Sequence, residues 1–181
     1  MKKISILILS CLMVSCATSQ DANQSQNKEK NVKDMPTMLV GKQERSALTQ
    51  APFNSWFEKN YDSYEIDAAA LKTLKPLMKG VEVKIFMGTW CGDSKRETPL
   101  FFKIMDAAGV KEKQLTLITM NRSKKTPDNL EEGLNITNVP TFIFYKDGKE
   151  INRIVEYPIE SLEKDMIAIL SGEPYKHAYA E

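Results

Sequence analysis

The chain reads as an α/β protein, a central mixed β-sheet flanked by helices, with a helical extension ahead of it. Three observations carry this reading. Between residues 66 and 172, short runs rich in Val, Ile and Phe alternate with longer amphipathic stretches, so strand and helix periods follow one another. Asp147-Gly148 stands between two such runs, where a two-residue turn folds them into a hairpin. With 42% apolar residues in 181, the chain can bury one core of ordinary domain size once its N-terminal segment is set aside.

The elements follow in order. Residues 51–65 carry Phe53, Trp56, Phe57, Tyr61 and Tyr64 at helix-like intervals. Such a stripe predicts a pre-domain helix facing the core rather than a ligand-binding aromatic box. Met38, Leu39, Val40 and Leu48 are too sparse to assign. "IDAAALKTLKPLMKG" predicts a helix with Leu71, Leu74, Leu77 and Met78 on its apolar side, closed by Gly80 and kinked or restarted at Pro76. "VEVKIFM" (81–87) is a strand, and a helix runs from Cys91 to about Ala108 with Leu100, Ile104, Met105 and Ala108 on one side and Pro99 interrupting its ladder. "LTLITM" (115–120) is a strand, and "TPDNLEEG" (126–133) predicts a short helix from Thr126 as N-cap to Gly133 as stop. "TFIFY", "KDGK" and "INRIVEY" form the hairpin. Pro158 to Leu170 predicts a last helix through Ile159, Leu162, Met166 and Leu170, stopped by Gly172, with 173–181 as a tail.

The N-terminus reads as an address. Lys2 and Lys3 precede an apolar run, Ile4 to Val14, too short to span a bilayer as a helix of about 20 residues. Residues 1–15 have the layout of a signal peptide, with an uncleaved anchor or an ordinary secretory signal as alternatives to a lipoprotein signal. "LMVSC" resembles the lipobox of bacterial lipoproteins, with Met13 and Val14 as departures from the usual pattern. That resemblance makes Cys16 the lipidated new N-terminus; Cys11 in "ILSC" is the alternative, with only Ile4 to Leu9 ahead of it. The expected location is the cell envelope, lipid-anchored, and Ala17 rather than Asp after the cysteine favours the periplasmic side of the outer membrane. Residues 16–50 are expected as tether and linker. Their stretch 17–34 holds a single large aliphatic residue, Val32, and cannot offset its ordering entropy. Losing Lys2 and Lys3 takes the net charge from +1 to −1. No basic stripe interleaved with aromatics appears, so no nucleic-acid partner is expected.

Two motifs inside the α/β pattern make it specific. "TWCGDS" resembles the thioredoxin-superfamily active-site segment, with Pro99 eight residues after Cys91 where that family kinks its active-site helix. "NVPTFIFYKDGKE" resembles the segment carrying the family's cis-proline, which assigns that role to Pro140. The resemblance covers residues 66–171 and implies a thioredoxin-like fold. It makes Cys91 the nucleophile, Trp90 the aromatic before it and Gly92 the small residue that admits a partner backbone. Asp93 stands where proline is common, and Ser94 replaces the resolving cysteine. Val139 and Thr141, on either side of Pro140, would line the substrate groove, with the Val139 backbone free to pair with an extended chain. Ile85 takes the strand position where many thioredoxins bury an acidic residue, so proton transfer lacks help unless Glu82 or another carboxylate supplies it.

Helix physics explains why the nucleophilic half can survive. Unpaired N–H groups and the positive dipole end at a helix N-terminus favour a thiolate. Ser94 can add one O–H···S bond. Asp93 opposes both, and Lys95 and Arg96 offset part of that. No second cysteine or nearby histidine completes a metal set, and no cofactor is expected. His177, the only histidine, reads as a tail residue, and "NRSKK" (121–125) as a solvated loop rather than a patch for an acidic partner. A peroxiredoxin spacing is missing, and a cysteine hydrolase would lack its base. Two readings remain. One is a thiol–disulfide exchange protein acting on envelope proteins with disulfides or oxidised cysteines, its mixed disulfide resolved by an external thiol. The other is a redox-inactive peptide-binding module. For the address, Cys16→Ser is expected to release the protein from membranes or leave it unprocessed on fractionation; unchanged attachment and size would contradict a lipid anchor there.

Overall fold

The computed structural model describes residues 37–180. The expected signal peptide, Cys11, Cys16 and the tether lie outside the described residues. Five strands, β1 (Gly41–Gln43), β2 (Val81–Met87), β3 (Leu115–Thr119), β4 (Thr141–Lys146) and β5 (Lys149–Val155), form one sheet in the order β1-β3-β2-β4-β5. Four helices accompany it: α1 (Asn54–Ser63), α2 (Ala68–Leu77), α3 (Gly92–Ala108) and α4 (Leu162–Ser171). The sheet is mixed as expected, β2 lying parallel to β3 and antiparallel to β4.

The two-residue period of β2 divides the interior. Val81, Val83, Ile85 and Met87 face one side with Leu117, Phe142 and Phe144, against residues from all four helices. At its centre Phe101 of α3 stacks on Phe142, ring centroids 4.4 Å apart. Phe86, Ile118 and Ile143 face the other side, closed by Leu130, Leu134 and Ile136 from the segment between β3 and β4. That segment is not the helix expected at 126–133. Thr126 does cap, accepting from the Leu130 N–H at 2.8 Å, but its own N–H and hydroxyl both donate to Glu131, at 3.1 and 2.7 Å. Side-chain bonds replace the helical ladder, and Asn129 takes a left-handed φ of 51°.

Other boundaries move for local reasons. Ser161 caps α4, and the Asp165 carboxylate accepts from the N–H groups of Ile159 and Glu160 at 2.6 and 3.1 Å, so the helix starts at Leu162 and Ile159 stays exposed. Pro76 lies within the last turn of α2 with the bond from Met78 N–H to the Leu74 carbonyl intact, while Asp67 caps the other end. Asp147 and Gly148, φ 52° and 73°, form the predicted hairpin turn. Beyond α4, Tyr175 donates to Asp165 at 2.7 Å and its carbonyl accepts from Asn152, so the described tail packs on the domain.

The stretch assigned to linker supplies an edge of the sheet. β1 pairs antiparallel with β3, and the 3-10 turn Arg45–Thr49 buries Leu48 completely. Arg45 meets Asp106 of α3 at 2.7 Å and lies 4.8 Å over the Phe102 ring, while Tyr61 of α1 donates to the same carboxylate. Burial pushes Asp106 up, yet the bonds from Arg45 and Tyr61 hold it below the usual carboxylate range. This clamp joins the 3-10 turn, α1 and α3. Leu48→Ala is therefore expected to lower unfolding stability by about 2–5 kcal/mol in urea denaturation, as for a core leucine; a change below about 0.5 kcal/mol, typical of a surface site, would contradict this placement.

Candidate active site

Strand pairing assembles the site. Phe86 lies opposite Thr141, so the chain leaving the end of β2 runs past the chain entering β4. Beyond β2 the backbone turns at Gly88, whose carbonyl accepts from the Cys91 N–H at 2.9 Å. Cys91 is the N-cap of α3, extended at φ −85° and ψ 132°, with its carbonyl accepting from the Lys95 N–H. Its side chain is half-buried. The Cys91 thiol donates to the Val139 carbonyl at 3.2 Å across 48 positions of sequence, at a cis Val139–Pro140 bond. Cys91 and the proline segment named from the sequence are thus in contact.

Trp90 is held on two sides. Its indole N–H donates to the Met120 carbonyl at 2.8 Å, and Arg122 lies over its ring 5.4 Å from the centroid. The indole also covers Gly88, where an added Cβ would stand 2.6 Å from the ring. Gly92 has open space where a Cβ would be, leaving the approach to α3 clear. Asp93 pairs with Arg96 at 2.7 Å, and the same guanidinium bonds Glu97 at 2.6 Å. Burial is the main influence on Glu97 and pushes its carboxyl up against the pull of Arg96.

Two expected residues, Ser94 and Thr141, take structural parts, and Glu82 leaves the expected lack of help unchanged. Ser94 is fully buried, and its hydroxyl oxygen accepts from the Gly88 N–H at 3.1 Å, so it braces the turn where a bond to the thiol was expected. Thr141 is buried and donates to the Asn138 carbonyl at 2.7 Å, bracing the proline turn from within. Glu82 is exposed near the start of β2, the end away from Cys91, so it supplies no relay; Ile85 is wholly buried in the core. Among the described residues no cluster of His, Cys, Asp and Glu could hold a metal ion. Sequence reasoning missed Gly88, Met120 and Arg122. The first two act through close packing and a backbone carbonyl, which leave no side-chain signature, and in sequence Arg122 is one cation of a solvated basic run.

Comparison with known proteins points to the same fold. A thioredoxin family model matches residues 43–168. A thioredoxin of Mycolicibacterium smegmatis is 30% identical over 94 residues, 52% of this chain and 75% of its own. A thioredoxin-like protein of Acanthamoeba polyphaga mimivirus is 30% identical over 89 residues, 49% of this chain, and the match spans 62% of that relative's length. A crystal structure of a protein of unknown function from Pseudomonas aeruginosa superposes with a TM-score of 0.55 at 14% identity, covering 74% of this chain and 93% of that one. An HIV epitope-scaffold gives 0.56 at 14% identity, covering 75% and 95%. These two likenesses concern the fold alone.

The packing of Trp90 over Gly88 has a direct consequence. In a Trp56→Phe background, which leaves Trp90 as the sole tryptophan, Gly88→Ala is expected to shift Trp90 fluorescence to longer wavelength as the indole is displaced toward water. An unchanged spectrum would contradict the 2.6 Å approach.

Proposed function

The chain belongs to the thioredoxin family, and on that premise we propose that it is a single-thiol exchange protein of the bacterial cell envelope. The observation that carries the reading is the Cys91 thiol at the N-terminus of α3, half-exposed and 3.2 Å from the Val139 carbonyl. The Cys91 thiolate attacks a disulfide of an envelope protein, or a cysteine carrying a small thiol. A bond forms between Sγ and one substrate sulfur as the substrate S–S bond breaks, and the other sulfur leaves as a thiolate that takes a proton from water. A low-molecular-weight external thiolate then attacks the substrate sulfur of the mixed disulfide; a new S–S bond joins it to the substrate as the bond to Cys91 breaks, and Cys91 leaves as a thiolate. Substrate binds along the turn at Val139 and Pro140, over the open approach at Gly92.

The two departures fall on resolution. An alcohol at Ser94 forms no S–S bond, and Ile85 offers no proton relay, so the intermediate waits for an outside thiol. Two features favour the redox-inactive binding module instead: the buried, bonded state of Ser94 and the apolar Ile85. An insulin-reduction assay separates the readings. The parent should turn over slowly with a dithiol reductant, accumulate mixed disulfides and accelerate with glutathione. Ser94→Cys should form a 91–94 disulfide and gain about tenfold or more in reductase rate, since its second thiol attacks intramolecularly. Cys91→Ser should abolish both. If the parent forms no mixed disulfide and Ser94→Cys gains nothing, the binding module takes its place.

A further inference from the structure

The position of Arg122 suggests which disulfides the site accepts. Residues 121–125 form a closed turn: the Asn121 carboxamide oxygen accepts from the N–H groups of Ser123 and Lys125 at 2.9 and 3.0 Å, and the Asn121 carbonyl from the Lys124 N–H. The chain wraps the indole, Met120 taking its N–H at the ring edge and Arg122 lying over its face. Arg122 is exposed and makes no ion pair with a carboxylate of the described residues, whereas Lys125 is engaged by Glu131 at 3.4 Å and Arg96 by Asp93 and Glu97. A planar cation without a side-chain partner among the described residues is thus held over the ring of Trp90, the residue that precedes Cys91 in the chain.

From this we infer that Arg122 is a specificity-determining residue that selects disulfides flanked by carboxylates. The inference rests on the exchange reading of Cys91. The attacking and departing sulfurs are both anionic, so a carboxylate beside the reacting bond raises the repulsion in the transition state. A guanidinium over Trp90, the neighbour of Cys91 in the chain, offsets it and can bind the carboxylate through two parallel N–H bonds. Stacking on Trp90 keeps the cation in place without using its in-plane donors. Two sources share this chemistry, the small disulfide of glutathione and a protein disulfide with acidic neighbours.

The test uses the full chain with Cys11→Ser and Cys16→Ser, so that Cys91 is the sole thiol, and measures its rate with dianionic dithiobis(nitrobenzoate) and neutral dithiodipyridine. The anionic-to-neutral rate ratio should fall about two- to fivefold in Arg122→Gln, recover only in part in Arg122→Lys, which keeps the charge but not the fork, and converge between variants in high salt. Glutathione disulfide, and a peptide disulfide with Glu flanks set against its Gln counterpart, then distinguish the sources: the arm in which Arg122→Gln slows the reaction identifies the source, and either supports the assignment. A ratio unchanged in Arg122→Gln overturns it. A parent that fails to react even with the neutral probe removes the exchange reading itself, and this inference with it.

Discussion

The antiparallel pairing of β2 with β4 is the constraint on which the rest depends. Its register sets Phe86 opposite Thr141, so Cys91, five residues beyond one, meets Val139, two residues before the other. The same register sends Ile85 and Phe142 into the helix-covered core and Phe86 and Ile143 into the smaller cluster against which Cys91 packs. A slip of one residue would exchange these faces and part the thiol from the proline turn. The site is therefore a consequence of core packing, with few bonds of its own: Cys91 to Val139, Ser94 to Gly88, Thr141 to Asn138 and Trp90 to Met120.

Within that frame the chemistry is unequal. Under the exchange reading, the parts that would present a nucleophile are the start of a 17-residue helix, a half-exposed thiol and an open approach at Gly92, while the Val139 carbonyl, accepting from the S–H, favours the neutral thiol. The parts that would complete the cycle inside one molecule are replaced by groups with structural work. Ser94 holds the backbone turn at Gly88, and Ile85 fills the core. Glu97, the buried carboxyl of α3, is committed to Arg96. Reopening the second half of the reaction at Ser94 also removes a good acceptor for the Gly88 N–H, so gained chemistry and lost order act at the same residue.

The legible parts of the sequence were those with a local signal. The period of 81–87, the Asp147-Gly148 turn, the aromatic spacing of 53–64 and the two motifs around Cys91 and Pro140 gave the elements and the pairing of the site. What escaped depends on partners far along the chain. β1 has three residues and no period of its own; it exists because β3 offers an unpaired edge, and Leu48 is buried because it joins the same core cluster as Phe57 of α1 and Phe102 of α3. The helix expected at 126–133 had a proper cap and stop, yet Thr126 spends its donors on Glu131, a pairing that propensity does not report. Trp90 is legible in its motif, but the Gly88 beneath it and the Arg122 above it become visible only in three dimensions.

The central claim is that the fold activates Cys91 rather than merely housing it. The most direct measurement compares exchange of this thiol with a neutral disulfide in the folded chain and in the same chain unfolded in urea, with Cys11 and Cys16 replaced by serine and rates corrected with a free-cysteine peptide in both solvents. The account predicts faster exchange in the folded state, because the start of α3 and the open approach at Gly92 outweigh partial burial. Slower exchange in the folded state would mark Cys91 as a sheltered side chain and contradict the account.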